Sequence, residues 1–174
     1  PVLQEAPYVE WYNATHPVLL KSLRKHNKQI VPLNITLNGK NRIIVISGPN
    51  AGGKSVCLKT IGVVQYMMQC GLLPTVYSNS HMGIFKSLFI DIGDQQSIEN
   101  DLSTYSSHLQ NLKAILKFSD QQSLILIDEF GSGTEPQIGG AIAQAVLESV
   151  NQKKAFGVIT THYRNLKQLA ESAE

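Results

Sequence analysis

The stretch IIVISGPNAGGKS, Ile43 to Ser55, constrains this chain more than any other. A short β-branched apolar run, Ile43 to Ser47, is the pattern of a buried parallel strand. It leads into a loop bearing Gly48, Gly52 and Gly53, then into Lys54 and Ser55. Residues Lys54 to Cys70 are apolar on most sides and stop at Gly71, as a helix with a C-terminal glycine does. Strand, glycine-rich turn and helix in that order are the setting that gives G-x-x-x-x-G-K-[ST] its meaning.

The physics of the loop is specific. Glycine permits backbone turns that a Cβ would bar. The N–H groups of Gly48, Pro49–Ala51 and Gly52–Gly53, proline excepted, can then converge on phosphate oxygens, and the helix N-terminus adds its positive end. Lys54 can reach the β- and γ-phosphates of a nucleotide, and the Ser55 hydroxyl can ligate Mg²⁺. A glycine-rich turn with no ligand would explain neither Lys54 nor Ser55.

The rest of the chain alternates in the same way. Ser87–Ile92 and Ser123–Asp128 read as strands. Ile98–Phe118 and Gln137–Val150 read as helices, Phe156–Thr161 as a strand, and the tail after His162 as a helix. This predicts an α/β fold, a mostly parallel sheet flanked by helices. The chain of 174 residues fits a single domain, with 1–41 as an irregular lead-in and 42–174 as the core. The lead-in contains a basic run, Lys21 to Lys28, that reads as a solvated loop, with a phosphate-contacting patch as the alternative. Neither end looks like a natural terminus, so the chain reads as a piece of a longer protein.

Composition adds bounds. Hydrophobic content of 43% and a formal charge of +2 describe a globular chain that neither requires nor excludes a nucleic-acid partner. No apolar run is long enough to span a bilayer. Cys57 and Cys70 fall on one expected helix, roughly 20 Å apart at helical rise, too far to bridge. They read as reduced core residues of a cytoplasmic protein.

LILIDE, Leu124 to Glu129, supplies the chemistry that the cradle lacks. Asp128 at the end of a buried strand can hold Mg²⁺, and Glu129 beside it can take a proton from an attacking water. His162, closing the strand FGVITT, can sense the γ-phosphate or orient that water. The guanine-reading N-K-x-D pattern has no match beyond NKQI at Asn27 to Ile30, which lacks the aspartate, so ATP is the expected nucleotide. LSTYSSH, Leu102 to His108, places a row of hydroxyls at the mouth of a helix. A helix tip with N–H and O–H donors suits an anion. Ser103 there is expected to face the γ-phosphate held by a second subunit. The competing reading is an ordinary N-cap.

These residues resemble the ATPase domain of the MutS family, a branch of the ABC-type ATPases. GPNAGGKS resembles that family's G-P-N-x-G-G-K-[ST], DEFGSGTEP its D-E-x-G-x-G-T, TTHY its switch histidine and LSTYSSH its S-T-F signature. THPVLL resembles its R-H-P-x-[LV] stretch, with Thr15 in place of arginine. DIGDQQSIENDLSTYSSH is most similar to the second MutS paralogue of bacteria. The resemblance implies that Gly48, Pro49, Asn50, Ala51, Gly52, Gly53, Lys54 and Ser55 bind phosphate. It implies Ser55 and Asp128 for Mg²⁺, Glu129 and His162 for catalysis, Ser103 for the partner's nucleotide, and Ile30 and Val31 for the adenine. It also implies a homodimer with composite ATP sites, and DNA or ribosome contacts through domains absent from this chain. Another ABC-type engine, or an ATP-gated module with little turnover, is the alternative. The first should carry an LSGGQ-like signature, which is not found here.

Overall fold

Continuous β-branched runs become the centre of a sheet because neither face needs a polar side. The computed structural model describes residues 1–48, 52–93, 101–130, 135–163 and 165–168, with the backbone alone for 101–105. Four strands, β4 (Ile43–Ser47), β6 (Ser87–Asp91), β7 (Ser123–Ile127) and β8 (Phe156–Thr161), pair in parallel in the order β4-β8-β7-β6. Every residue of the two central strands, β7 and β8, is buried. This is the expected sheet, with boundaries within a residue of those read from sequence.

Period-two alternation decides what covers each face. Leu124, Leu126, Phe156 and Val158 point to one side and pack on Leu58, Ile61 and Val64 of helix α2 (Lys54–Gln69). Ile125, Ile127 and Ile159 point to the other. They meet Leu112 and Ile115 of α3 (Asp101–Phe118) and Ala143, Val146, Leu147 and Val150 of α4 (Pro136–Gln152).

Helix α2 is apolar on most sides because it is covered twice. Its second cover is a sheet that the sequence reading did not foresee. The lead-in 1–41, expected to be irregular, contains β1 (Val2–Gln4), β2 (Val9–Ala14), α1 (Pro17–Lys25) and β3 (Leu33–Leu37). With β5 (His81–Gly83) these strands form a sheet of order β1-β5-β2-β3. Val9, Trp11, Ile35, Leu37 and Met82 from it join the α2 core. Trp11 is fully buried, and a truncation to alanine there would cost about 3–5 kcal/mol. The alternation V-E-W and L-N-I-T-L carries this sheet's signal. Its strands are short, and β1 finds its parallel partner β5 far along the chain, Val2 to Gln4 pairing with His81 to Gly83. A buried amide ties the layers together: Gln65 on α2 donates from Nε2 to Gly83 O at 2.9 Å.

The basic run at Lys21 to Lys28 is not a loop throughout, since Lys21, Arg24 and Lys25 lie on α1. His16 caps that helix, accepting at Nδ1 from Leu19 N, and Pro17 opens it. Cys57 and Cys70 are free thiols as expected, but Cys70 is exposed at the end of α2 and is no core residue. Residues 165–168 are helical, in line with the expected tail.

Candidate nucleotide site

Parallel strands end on one edge of their sheet, and ligand chemistry in open α/β sheets gathers there. The register aligns those ends closely. Ser47 pairs with Thr161, Ile127 with Ile159, and Asp91 with Ile127. Gly48, Asp128, His162 and Ile92 are therefore the first residues past their strands on a common edge.

The cradle begins where β4 stops. Gly48 has φ +153° and Gly53 has φ +79°, both in the region that disfavours a Cβ. Gly53 is the N-cap of α2, so Lys54 and Ser55 start that helix directly from the loop. Lys54 is buried, and its Nζ donates to Gly48 O at 2.5 Å. The ammonium thus lies back against the loop's own first residue. Pro49, Asn50 and Ala51 lie outside the described residues.

Thr160 organises the acidic half, a role sequence reasoning missed. Its Oγ1 donates to Asp128 Oδ1 at 2.5 Å and accepts from Glu129 N at 2.8 Å. One hydroxyl thereby fixes a carboxylate and the backbone of the residue after it. Phe130 N also donates to Thr160 O, at 2.9 Å. Between these anchors Glu129 is held at φ +49°. A non-glycine residue there stores strain of order 1 kcal/mol, which the Thr160 contacts hold in place. Asp128 is buried. Its carboxylate makes no further hydrogen bond among the described residues. His162 stands with Nε2 4.0 Å from Glu129 Oε1, so the expected pair is brought together.

A second carboxylate, also missed, lies one strand over. Asp91 is buried at the end of β6. Its Oδ2 accepts from His108 Nδ1 at 2.6 Å and its Oδ1 from Asn111 Nδ2 at 2.8 Å. That bond to Asp91 raises the His108 pKa above its ordinary value; burial opposes the rise, and the charges of Asp91 and Glu129 add to it. The available signal was the near-copy SLFID and SLILID, two apolar strands each ending in aspartate.

Ser103 lies on α3, and its side chain is outside the description. Ile30 is half-buried and Val31 is 91% exposed between α1 and β3. Among the described residues no group of three or more His, Cys, Asp or Glu side chains forms a metal site. The oxygen donors Ser55 and Asp128 nonetheless fit a hard cation. Mg²⁺ is commonly held by one carboxylate, water and substrate phosphates rather than by an all-protein cage.

A family model of MutS domain V matches residues 44–174, from the cradle's strand through the tail. The chain belongs to the MutS family. Its domain V is of the P-loop ATPase type, which agrees with the parallel sheet and the cradle at its edge. Curated relatives extend the likeness. Endonuclease MutS2 of Enterococcus faecalis is 46% identical over 167 residues, covering 96% of this chain and 20% of the relative. That of Thermomicrobium roseum is 45% identical over 157 residues, covering 90% and 19%. That of Clostridium botulinum is 42% identical over 174 residues, covering 100% and 21%. The chain thus spans about a fifth of the length of these relatives. No helix among the described residues is long and apolar enough to cross a membrane.

Proposed function

We propose that this MutS-family domain V binds and hydrolyses ATP, in the manner of ABC-type ATPases, as a switch within a homodimer. The observation that carries the reading is the shared sheet edge. The glycine cradle with Lys54, the Asp128–Glu129 pair and His162 all leave parallel strands there.

On this reading Gly48–Ser55 wrap the phosphates, with Pro49, Asn50 and Ala51 contributing from the loop. Lys54 leaves Gly48 O for a phosphate oxygen. Ser55 and Asp128 would hold Mg²⁺, which supplies charge neutralisation at the β- and γ-phosphate oxygens. Glu129 accepts the proton of the attacking water, and His162, 4.0 Å from that carboxylate, orients the water or reports the γ-phosphate. Thr160 holds both acidic residues in place, so little reorganisation accompanies reaction. Ile30 and Val31 offer apolar surface to the adenine. Ser103, on α3, completes the site of the partner subunit.

The domain is a single unit of a longer cytoplasmic protein, with 42–174 as its catalytic core. The names of the relatives support a DNA-directed role for the whole protein. Nucleotide state here would control nucleic-acid binding, to DNA or to the ribosome, by the parts not covered.

Mixing variants of the full-length protein tests the composite site. In a Ser103→Arg/Lys54→Ala mixed dimer, one site loses both groups and the other neither. Hydrolysis should reappear on mixing two inactive proteins. Mixed dimers that form and stay inactive overturn the shared site.

A further inference from the structure

We propose that Asp91, His108 and Asn111 form a clasp that fixes α3 to the sheet edge and so positions the helix tip for the partner's nucleotide; this rests on the composite-site reading above. Three observations converge. Both oxygens of one buried carboxylate are taken by side chains of α3, at 2.6 and 2.8 Å. His108 and Asn111 are spaced i, i+3, which puts both on one face of the helix. Asp91 is itself bound to the residue proposed to hold the cation, for Asp128 N donates to Asp91 O at 2.9 Å. The route from Asp128 to α3 is therefore one backbone hydrogen bond, one residue and one bifurcated carboxylate. Ser103 is about 7.5 Å of helical rise from His108, close enough for the clasp to set where the tip stands.

The imidazole lies close to the end of β6. A Cβ on Gly93 would meet His108 Nε2 at 3.6 Å, so the ring lies against the chain just past β6. The His108 pKa is raised by the bond to Asp91, in keeping with a charge-assisted contact of the stronger kind. His108 and Asn111 touch no nucleotide in this scheme; they are positioning residues acting through α3. Displacing the tip by a fraction of a helical turn would slow hydrolysis in the opposite site, because misplacement near 1 Å already costs on the order of 100-fold.

The test again uses mixed dimers of the full-length protein. His108→Ala alone should lower kcat roughly tenfold to 100-fold, with the KM for ATP within about twofold because the cradle is intact. His108→Ala mixed with Lys54→Ala should regain one working site, since the wild-type α3 of the Lys54→Ala protomer serves the intact cradle. His108→Ala mixed with Ser103→Arg should regain none, since both lesions disable the same contribution. The reverse pattern, rescue by Ser103→Arg and none by Lys54→Ala, puts the effect in the protomer's own site and overturns the clasp. Failure of the Ser103→Arg and Lys54→Ala pair overturns the shared site itself, so the two failures are distinct. Asn111→Ala, at an exposed position, goes through the same mixtures and keeps the test decisive if His108→Ala does not fold. His108→Gln, which retains an N–H donor toward Asp91, should recover most of the lost kcat. Wild-type kcat in both His108→Ala and Asn111→Ala also overturns the proposal.

Discussion

Asp91 and Asp128 end neighbouring parallel strands of nearly the same sequence, SLFID and SLILID, yet their surroundings differ. Asp91 is enclosed. An imidazole and an amide from α3 occupy both its oxygens. Asp128 is steadied by one hydroxyl, Thr160 Oγ1, and its carboxylate bonds nothing else among the described residues. The residue after it, Glu129, is held at positive φ by the same threonine. Two similar carboxylates thus receive different tasks from their partners. A carboxylate bonded at both oxygens joins elements, and one bonded at a single oxygen keeps the other open to a cation.

The largest effect should appear where the comparison is broken on its open side. Single-turnover hydrolysis by the full-length Glu129→Gln protein should fall by about 100-fold or more, the range for a general base, while MgATP still binds. Asp91→Asn, which keeps one acceptor oxygen for α3, should slow the same step less, by roughly tenfold at most. Equal losses from the two would erase the distinction, and an unchanged rate in Glu129→Gln would remove the general-base role.

Much of this was legible in the chain, for a physical reason. Buried parallel strands are continuous apolar runs, and a polar residue that ends such a run marks the sheet edge; hence Asp128, Glu129 and His162 were readable beside the glycine loop. Thr160 was harder, because a hydroxyl in a fully buried strand looks like tolerated polarity until its partners just past β7 are known. The clasp was harder again. It depends on α3 packing against β6, a tertiary fact that no local spacing encodes. The lead-in sheet was missed although β2 and β3 alternate, since its pairing spans β1 to β5 with α1 and α2 between.

Stability should separate the two carboxylates next. Thr160→Val removes a donor to Asp128 and an acceptor for Glu129 N. Urea unfolding should show a loss of about 2–3 kcal/mol, two hydrogen bonds in a buried setting. Asn111→Ala, which frees one oxygen of Asp91 near the surface, should cost about 0.5–1.5 kcal/mol. If Asn111→Ala proved the costlier change, the closed site would depend on α3 more heavily than the open site on Thr160.

The smallest effect is the proton on His108. NMR titration should place its pKa above the ordinary 6.5, because of the bond to Asp91 and, further off, the charge of Glu129. Asp91→Asn should bring it down. A pKa raised in the folded state means that this contribution to stability is full below the unfolded value and is lost as pH rises through the folded one. A His108 pKa unmoved by Asp91→Asn would show that the bond between them carries no charge.

Calorimetric titration of the full-length protein with MgATP reaches the central claim most directly. One nucleotide should bind per protomer, with binding abolished by Lys54→Ala and a dependence on Mg²⁺ that disappears in Asp128→Asn. Equal uptake by wild type and Lys54→Ala, or none by folded wild type, would contradict it.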